Sequence, residues 1–218
     1  MAGATLLISS KNYSSWSLRG FLLARMSGLV FEEKVVAPDD PATRAELLLQ
    51  SSSIRIPALV HDGVMLWDVI AIAEYLNEMF PKAGMLPHDR LARARCRSVS
   101  GEMHSGFVAL RGALPMNLRL FRPGFMVWSA VQADIDRIIE IWRECLETWK
   151  GPWLFGHHPT IADAMYAPVV TRFRTYDVKL DPACEAYCRK IMAWNDMQEW
   201  FSAAQREPEQ IDELDIEF

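Results

Sequence analysis

The hydrophobic period of this chain changes once, across Lys82 to Asp89, and that change limits what the chain can fold into. Before it, short apolar runs alternate with helix-spaced ones. Thr5 to Ile8 reads as a strand, and Leu18, Leu22 and Arg25 follow at helical spacing up to Gly28. Phe31 to Val36 is a second strand, Thr43 to Gln50 a short helix, and Ile56 to Val60 a third strand. His61-Asp62-Gly63 then turns the chain into Val64-Met65-Leu66, because glycine accepts the positive φ that a tight hairpin requires. From Asp68, the residues Val69, Ile72, Leu76 and Met79 mark another amphipathic helix, stopped at Pro81. The order βαβαββα predicts an α/β sheet covered by helices.

After Asp89 only the helical period remains. A helix is expected from about Asp89 to Leu114, interrupted at Pro115. The clearest runs from Val131 through Ile135, Ile138, Ile139, Trp142 and Leu146 to Trp149. Thr160 opens another, and Cys184 to Ala204 reads as the last. The acidic tail from Glu207 to Phe218 is read as loosely packed. The expected architecture is α/β followed by all-α: residues 1–81 as a small α/β unit, 82–89 as linker and 90–218 as a helical bundle.

Composition narrows the partners. A net charge of −5 argues against nucleic acid or an anionic membrane surface as the main partner. No run reaches the about 18 apolar residues of a membrane span, and the start lacks the pattern of a signal peptide, so a cytoplasmic location is expected. Cys96, Cys145, Cys184 and Cys188 form no CxxC pair and read as core thiols rather than metal ligands. His157 and His158 are adjacent and cannot share a helix face, and neither HExxH nor GxSxG occurs. No metal is expected.

Three motifs carry more specific information. Ser14-Ser15-Trp16-Ser17-Leu18-Arg19 stands between the first strand and the first helix. Ile56-Pro57-Ala58-Leu59-Val60 precedes Asp62-Gly63 and then Leu66-Trp67-Asp68-Val69-Ile70-Ala71. Phe155-Gly156 leads into Thr160-Ile161-Ala162-Asp163, a capping box with Asp in place of Glu. In this order, and across nearly the whole chain, they resemble the glutathione S-transferase family, nearest in motif to its serine-type, zeta-like members.

That resemblance implies an N-terminal thioredoxin-like domain over residues 1–81, glutathione as co-substrate and a homodimer as the assembly. It implies a cis Ile56-Pro57 bond, with Ile56 pairing the cysteinyl part of glutathione as an added strand. Asp68 would meet the γ-glutamyl ammonium, and the helix start at Val69 its carboxylate. Val69 replaces the usual serine and removes one hydroxyl donor. Arg55 would approach the glycyl carboxylate. Ser14 would donate to the sulfur and favour its thiolate, with Tyr13 and Ser15 as alternative hydroxyls. Met103, His104, Phe107 and Arg111 lie at helical spacing where the family borders its electrophile pocket. Arg172 and Arg174 are further cations for an anionic substrate, against the alternative of solvated surface residues.

The function these features imply is conjugation of the glutathione thiolate to a small hydrophobic electrophile. The Ser14-Ser15 pair also suits a zeta-like, glutathione-dependent cis-trans isomerase of maleylacetoacetate. Against it, Trp16 stands where that class has cysteine, and Thr175 where its arginine would align. Val69 favours a third reading, a non-catalytic binding or regulatory protein on the same fold.

Overall fold

The computed structural model describes residues 3–37, 40–42, 45, 48, 53 and 55–208. Most of the helix expected at Thr43 to Gln50 lies outside the described residues.

Four strands form one sheet in the order β2-β1-β3-β4, with β1 at Ala4–Ile8, β2 at Phe31–Val35, β3 at Ala58–His61 and β4 at Val64–Leu66. β1 runs parallel to β2 and antiparallel to β3, and β3 pairs antiparallel with β4. The Asp62-Gly63 turn has positive φ at both residues, as the hairpin demands. Alternation along β1 and β3 sorts the two faces. Leu6, Ile8 and Leu59 join the main core, while Leu7 and Ala58 join Val36 on the opposite face. β2 is an edge strand with exposed Glu32, Glu33 and Lys34, charges that discourage pairing with another sheet.

Helices α1 (Ser15–Ser27) and α2 (Val69–Met79) cover the main-core face. Leu18, Phe21 and Leu22 of α1 and Ile72 and Leu76 of α2 are buried together there. α1 ends where Gly28 takes a left-handed conformation, φ 79°, and its N–H bonds Arg25 O. Gly20 has a different purpose. A Cβ at that position would lie 2.8 Å from both Cβ and Cγ of Pro57, so only glycine lets the proline ring seat on α1. Gly20→Ala is expected to push the Ile56-Pro57 turn off the helix and cost about 1–3 kcal/mol. A fall in thermal midpoint of several degrees checks it; an unchanged midpoint would mean the turn yields without cost.

The remaining helices are α3 (Arg90–Ser105), α4 (Val108–Ala113), α5 (Ser129–Trp149), α6 (Ile161–Thr175), α7 (Pro182–Met192) and α8 (Asn195–Arg206). Two expected helices are each divided. The first breaks at Gly106-Phe107, where Gly106 leaves the helix and Phe107 adopts φ 56°. The last breaks at Trp194, whose extended backbone lets its ring pack edge-on to Trp153 at 5.3 Å. Neither break contains proline, and the apolar spacing runs through both.

α6 is the axis of the helical part, with Ile161 through Phe173 buried on every side. It packs against α3, α7 and α1, so it joins the two halves of the molecule. Its N-terminus is fixed by Asp163. That carboxylate accepts from Thr160 N and Oγ1, Leu154 N and Tyr187 Oη, all within 2.8–3.1 Å. It is 0% exposed. Burial pushes its carboxyl up to about 6, and the four donors act against that rise.

Candidate functional site

The chain leaves β1 through Ser9 to Ser14 and enters α1 with Ser14 as its N-cap. Ser14 Oγ accepts from Ser17 N at 3.3 Å and donates to Ser17 Oγ at 2.8 Å. Ser17 Oγ in turn accepts from Ser9 N at 3.0 Å. Ser14 is half-buried, whereas both neighbouring hydroxyl residues are buried. Ser15 Oγ takes a hydrogen bond from Arg172 Nη2 at 3.2 Å, and the ring of Tyr13 lies beneath the Arg119 guanidinium at 5.9 Å.

The loop carrying Ser14 is held from the far end of the chain. Glu207 accepts from Ser10 Oγ, Lys11 N and Asn12 N at 2.8, 2.8 and 2.9 Å. Trp200 Nε1 donates to Lys11 O at 2.9 Å, and Asn12 Oδ1 accepts from Leu118 N at 2.8 Å. This corrects the expectation of a loose tail at its first residue. Three charge-assisted bonds anchor Glu207, a carboxylate clasp that sequence spacing does not reveal. Glu207→Ala strands two backbone N–H groups and is expected to cost about 2–3 kcal/mol, read in thermal unfolding. Backbone hydrogen exchange of residues 10–14 should quicken with it; exchange unchanged there would show that the clasp does not order the loop.

Beside this loop, Trp16, Arg55, Ile56, Pro57, Asp68, Val69 and His104 line one cavity of about 310 Å³. The Ile56-Pro57 bond is cis. Ile56 lines the cavity, and its backbone forms no hydrogen bond with another described residue. Asp68 caps α2, with Oδ1 accepting from Ile70 N at 2.8 Å. Its other oxygen, Oδ2, meets His104 Nε2 of α3 at 2.6 Å, a bond between the two halves of the molecule. Val69 is 2% exposed, so its side chain belongs to the core while its N–H heads the helix.

The sequence-predicted residues therefore separate into groups. Arg55, Ile56, Pro57, Asp68, Val69 and His104 converge on the cavity. Ser14, Tyr13 and Ser15 stand at the start of α1 and do not line it. Met103 is wholly buried in the core and Phe107 nearly so. Arg111 projects to Trp16, its guanidinium carbon 5.5 Å from the ring centre. Arg174 is exposed, but Arg172 is buried. Two residues of the first motif that were not expected to belong to the site adjoin it. Trp16 forms a wall of the cavity and meets His104 edge-on at 5.3 Å. Arg19 lies under the same indole, its guanidinium carbon 4.5 Å from the ring centre. A cation placed one helical turn after an aromatic at a helix start is the only sequence signal for it.

Cysteine and metal chemistry have little basis here. Burial pushes the thiols of Cys96, Cys145, Cys184 and Cys188 up to about 12, far from a reactive thiolate. Among the described residues, no three His, Cys, Asp or Glu side chains gather as a metal site. Nor is any described helix long and apolar enough to cross a membrane.

Comparison with known proteins bears on the family and the fold. The family model for the glutathione S-transferase N-terminal domain matches residues 13–79, and that for the C-terminal domain matches 119–201. A probable glutathione S-transferase of Nicotiana plumbaginifolia is 23% identical, over 85% of this chain and 81% of its own. A probable maleylacetoacetate isomerase of Caenorhabditis elegans is 25% identical, over 77% of this chain and 78% of its own. Among solved structures, a Burkholderia glutathione transferase homologue with bound glutathione superposes with a TM-score of 0.72. It is 24% identical and matched over 94% of this chain and 100% of its own. With a thioredoxin-like sheet domain, a helical domain behind it and both domain models matched, the chain belongs to the glutathione S-transferase family.

Proposed function

We propose that this protein binds glutathione in the 310 Å³ cavity and joins it, through its sulfur, to a small electrophile lodged beside α3 and α4. The observation that carries this reading is the meeting of Ile56, the Asp68 carboxylate, the α2 N-terminus and Arg55 around one cavity. Those groups match a γ-linked tripeptide. Ile56 pairs with its extended middle, Asp68 faces its ammonium, Val69 N–H and the helix start face one carboxylate, and Arg55 faces the other. Glutathione supplies the nucleophile: its sulfur bonds the electrophilic carbon while the leaving group departs with the electron pair. The chain's own contribution is orientation and a hydrogen bond that favours the deprotonated sulfur. In this reading Ser14 supplies it from the α1 N-cap, outside the cavity lining but two residues before Trp16, which is part of that lining. Asp68 shares its carboxylate with His104, so the imidazole positions the oxygen that receives the ammonium. The protein acts in this reading as a homodimer in the cytoplasm.

The test is steady-state turnover of glutathione with chlorodinitrobenzene, in which product and chloride form together. Saturation in both substrates is expected. Binding of glutathione without turnover of any reactive electrophile would contradict the transferase reading. A second reading has one observation of its own: the Caenorhabditis relative is named as a maleylacetoacetate isomerase, and the Ser14-Ser15 pair begins α1 as in that class. Glutathione-dependent cis-trans isomerisation of maleylacetoacetate, faster than conjugation, would decide for it.

A further inference from the structure

Three arginines from distant parts of the sequence meet beneath Ser15 and Trp16. Arg19 of α1 donates through Nε to Met165 O at 2.8 Å and through Nη1 to Ser15 O at 3.4 Å. Arg172 of α6 donates to Leu114 O, Pro168 O and Ser15 Oγ. Arg111 of α4 stacks on Trp16 along with Arg19. Arg19 is 0% exposed and Arg172 4% exposed, while Arg111 is half-buried. Among the described residues no carboxylate pairs with any of the three. Two guanidinium nitrogens, Arg19 Nη2 and Arg111 Nε, are buried and have no hydrogen-bond partner at all.

Such a cluster is costly as it stands. Buried charge is ordinarily paired, and an unpaired donor forfeits its solvation without return. The strain shows in the guanidinium groups: burial, with the neighbouring arginines, lowers the pKa of Arg19, and that of Arg172 falls to about 10. Carbonyl oxygens satisfy some of the donors but bring no negative charge. The position is informative too. Trp16 lines the 310 Å³ cavity while Arg19 and Arg111 lie against its ring, so the indole is shared between the cavity and the cluster. Arg111 is the most exposed of the three.

We propose that Arg19, Arg111 and Arg172 form a subsite for a carboxylate group of the second substrate, which makes this enzyme selective for acidic electrophiles. One carboxylate accepts from Arg19 Nη2 and Arg111 Nε and supplies the charge that the cluster lacks. Trp16 then separates the carboxylate end of the substrate from the sulfur and packs on the carbon skeleton between them. The assignment of the carboxylate to a second substrate rests on glutathione occupying the neighbouring cavity.

Calorimetric titration with benzoate and with its uncharged isostere benzamide tests it, each with and without saturating glutathione. Benzoate should bind about tenfold or more tighter than benzamide, the size of one charge-assisted hydrogen bond. Arg111→Met should abolish that preference and Arg111→Lys should keep part of it, with thermal unfolding showing each variant folded. Arg19→Met repeats the test at the fully buried position. Equal affinity for benzoate and benzamide, or a preference untouched by Arg111→Met in a folded protein, would overturn the subsite. Competition between benzoate and glutathione would overturn its assignment to a second substrate. Absence of glutathione binding with the benzoate preference intact would instead leave the anion site standing and remove the transferase reading.

Discussion

Asp163→Ala is expected to lower stability by about 3–5 kcal/mol, the largest effect of any single substitution considered in this protein. The carboxylate is wholly buried and receives four donors, all of which lose their acceptor inside the core when it is removed. Each stranded buried donor costs about 1–3 kcal/mol, partly recovered by relaxation. For a chain of this length the thermal midpoint should fall by about 10 °C. The effect reaches the site, because α6 carries Arg172 and packs on α1. A midpoint within about two degrees of wild type would show that another element fixes the start of α6.

The same residue gives the stability a pH signature. Its folded pKa, raised to about 6, lies above that of an unfolded carboxylate near 3.8. The protonated acid is therefore the form the fold favours. Its contribution is complete below about pH 4 and is lost as pH rises through 6, by about 3 kcal/mol in all. Asp163→Asn cannot titrate. The stability of wild type relative to Asp163→Asn should decline across that window and be flat above it, as followed by denaturant unfolding at several pH values.

Ser14→Ala is expected to reduce kcat/KM for conjugation by about 10- to 100-fold, the loss of one hydrogen bond to a developing thiolate. The pKa of the bound thiol should rise by about one to two units, since each unit corresponds to about 1.4 kcal/mol. Glutathione affinity should change far less, because the tripeptide is held mainly at Ile56, Asp68 and Val69. The choice among three hydroxyls rests on exposure and engagement. Ser15 is buried against Arg172 and Tyr13 beneath Arg119, whereas Ser14 is half-buried. Ser14 can turn its proton away from Ser17 while its oxygen still accepts Ser17 N–H, so the cap survives the catalytic role. A larger loss in Ser15→Ala or Tyr13→Phe than in Ser14→Ala would move that role to the other hydroxyl.

Much of this was legible in the sequence because it is local. The Asp62-Gly63 hairpin, the Ser14 and Asp68 caps and the Thr160/Asp163 box each need only a few neighbouring residues. The helix divisions at Gly106-Phe107 and Trp194 were hidden because the helical spacing of apolar residues continues through them. Spacing also cannot tell a pocket from a core. Met103 and His104 are adjacent on α3, yet Met103 faces the core and His104 the cavity. Least visible were contacts closed by tertiary structure. Asp68 and His104, Ser10 and Glu207, and Arg19, Arg111 and Arg172 come together only when the helical half packs on the sheet.

The central claim is that the cavity around Ile56-Pro57 and Asp68 is a glutathione site, despite the hydroxyl missing at Val69. Calorimetric titration of the full chain with reduced glutathione tests it most directly. Saturable binding of one glutathione per chain, in the millimolar range or tighter, is the predicted result. No saturable heat at millimolar glutathione would contradict it.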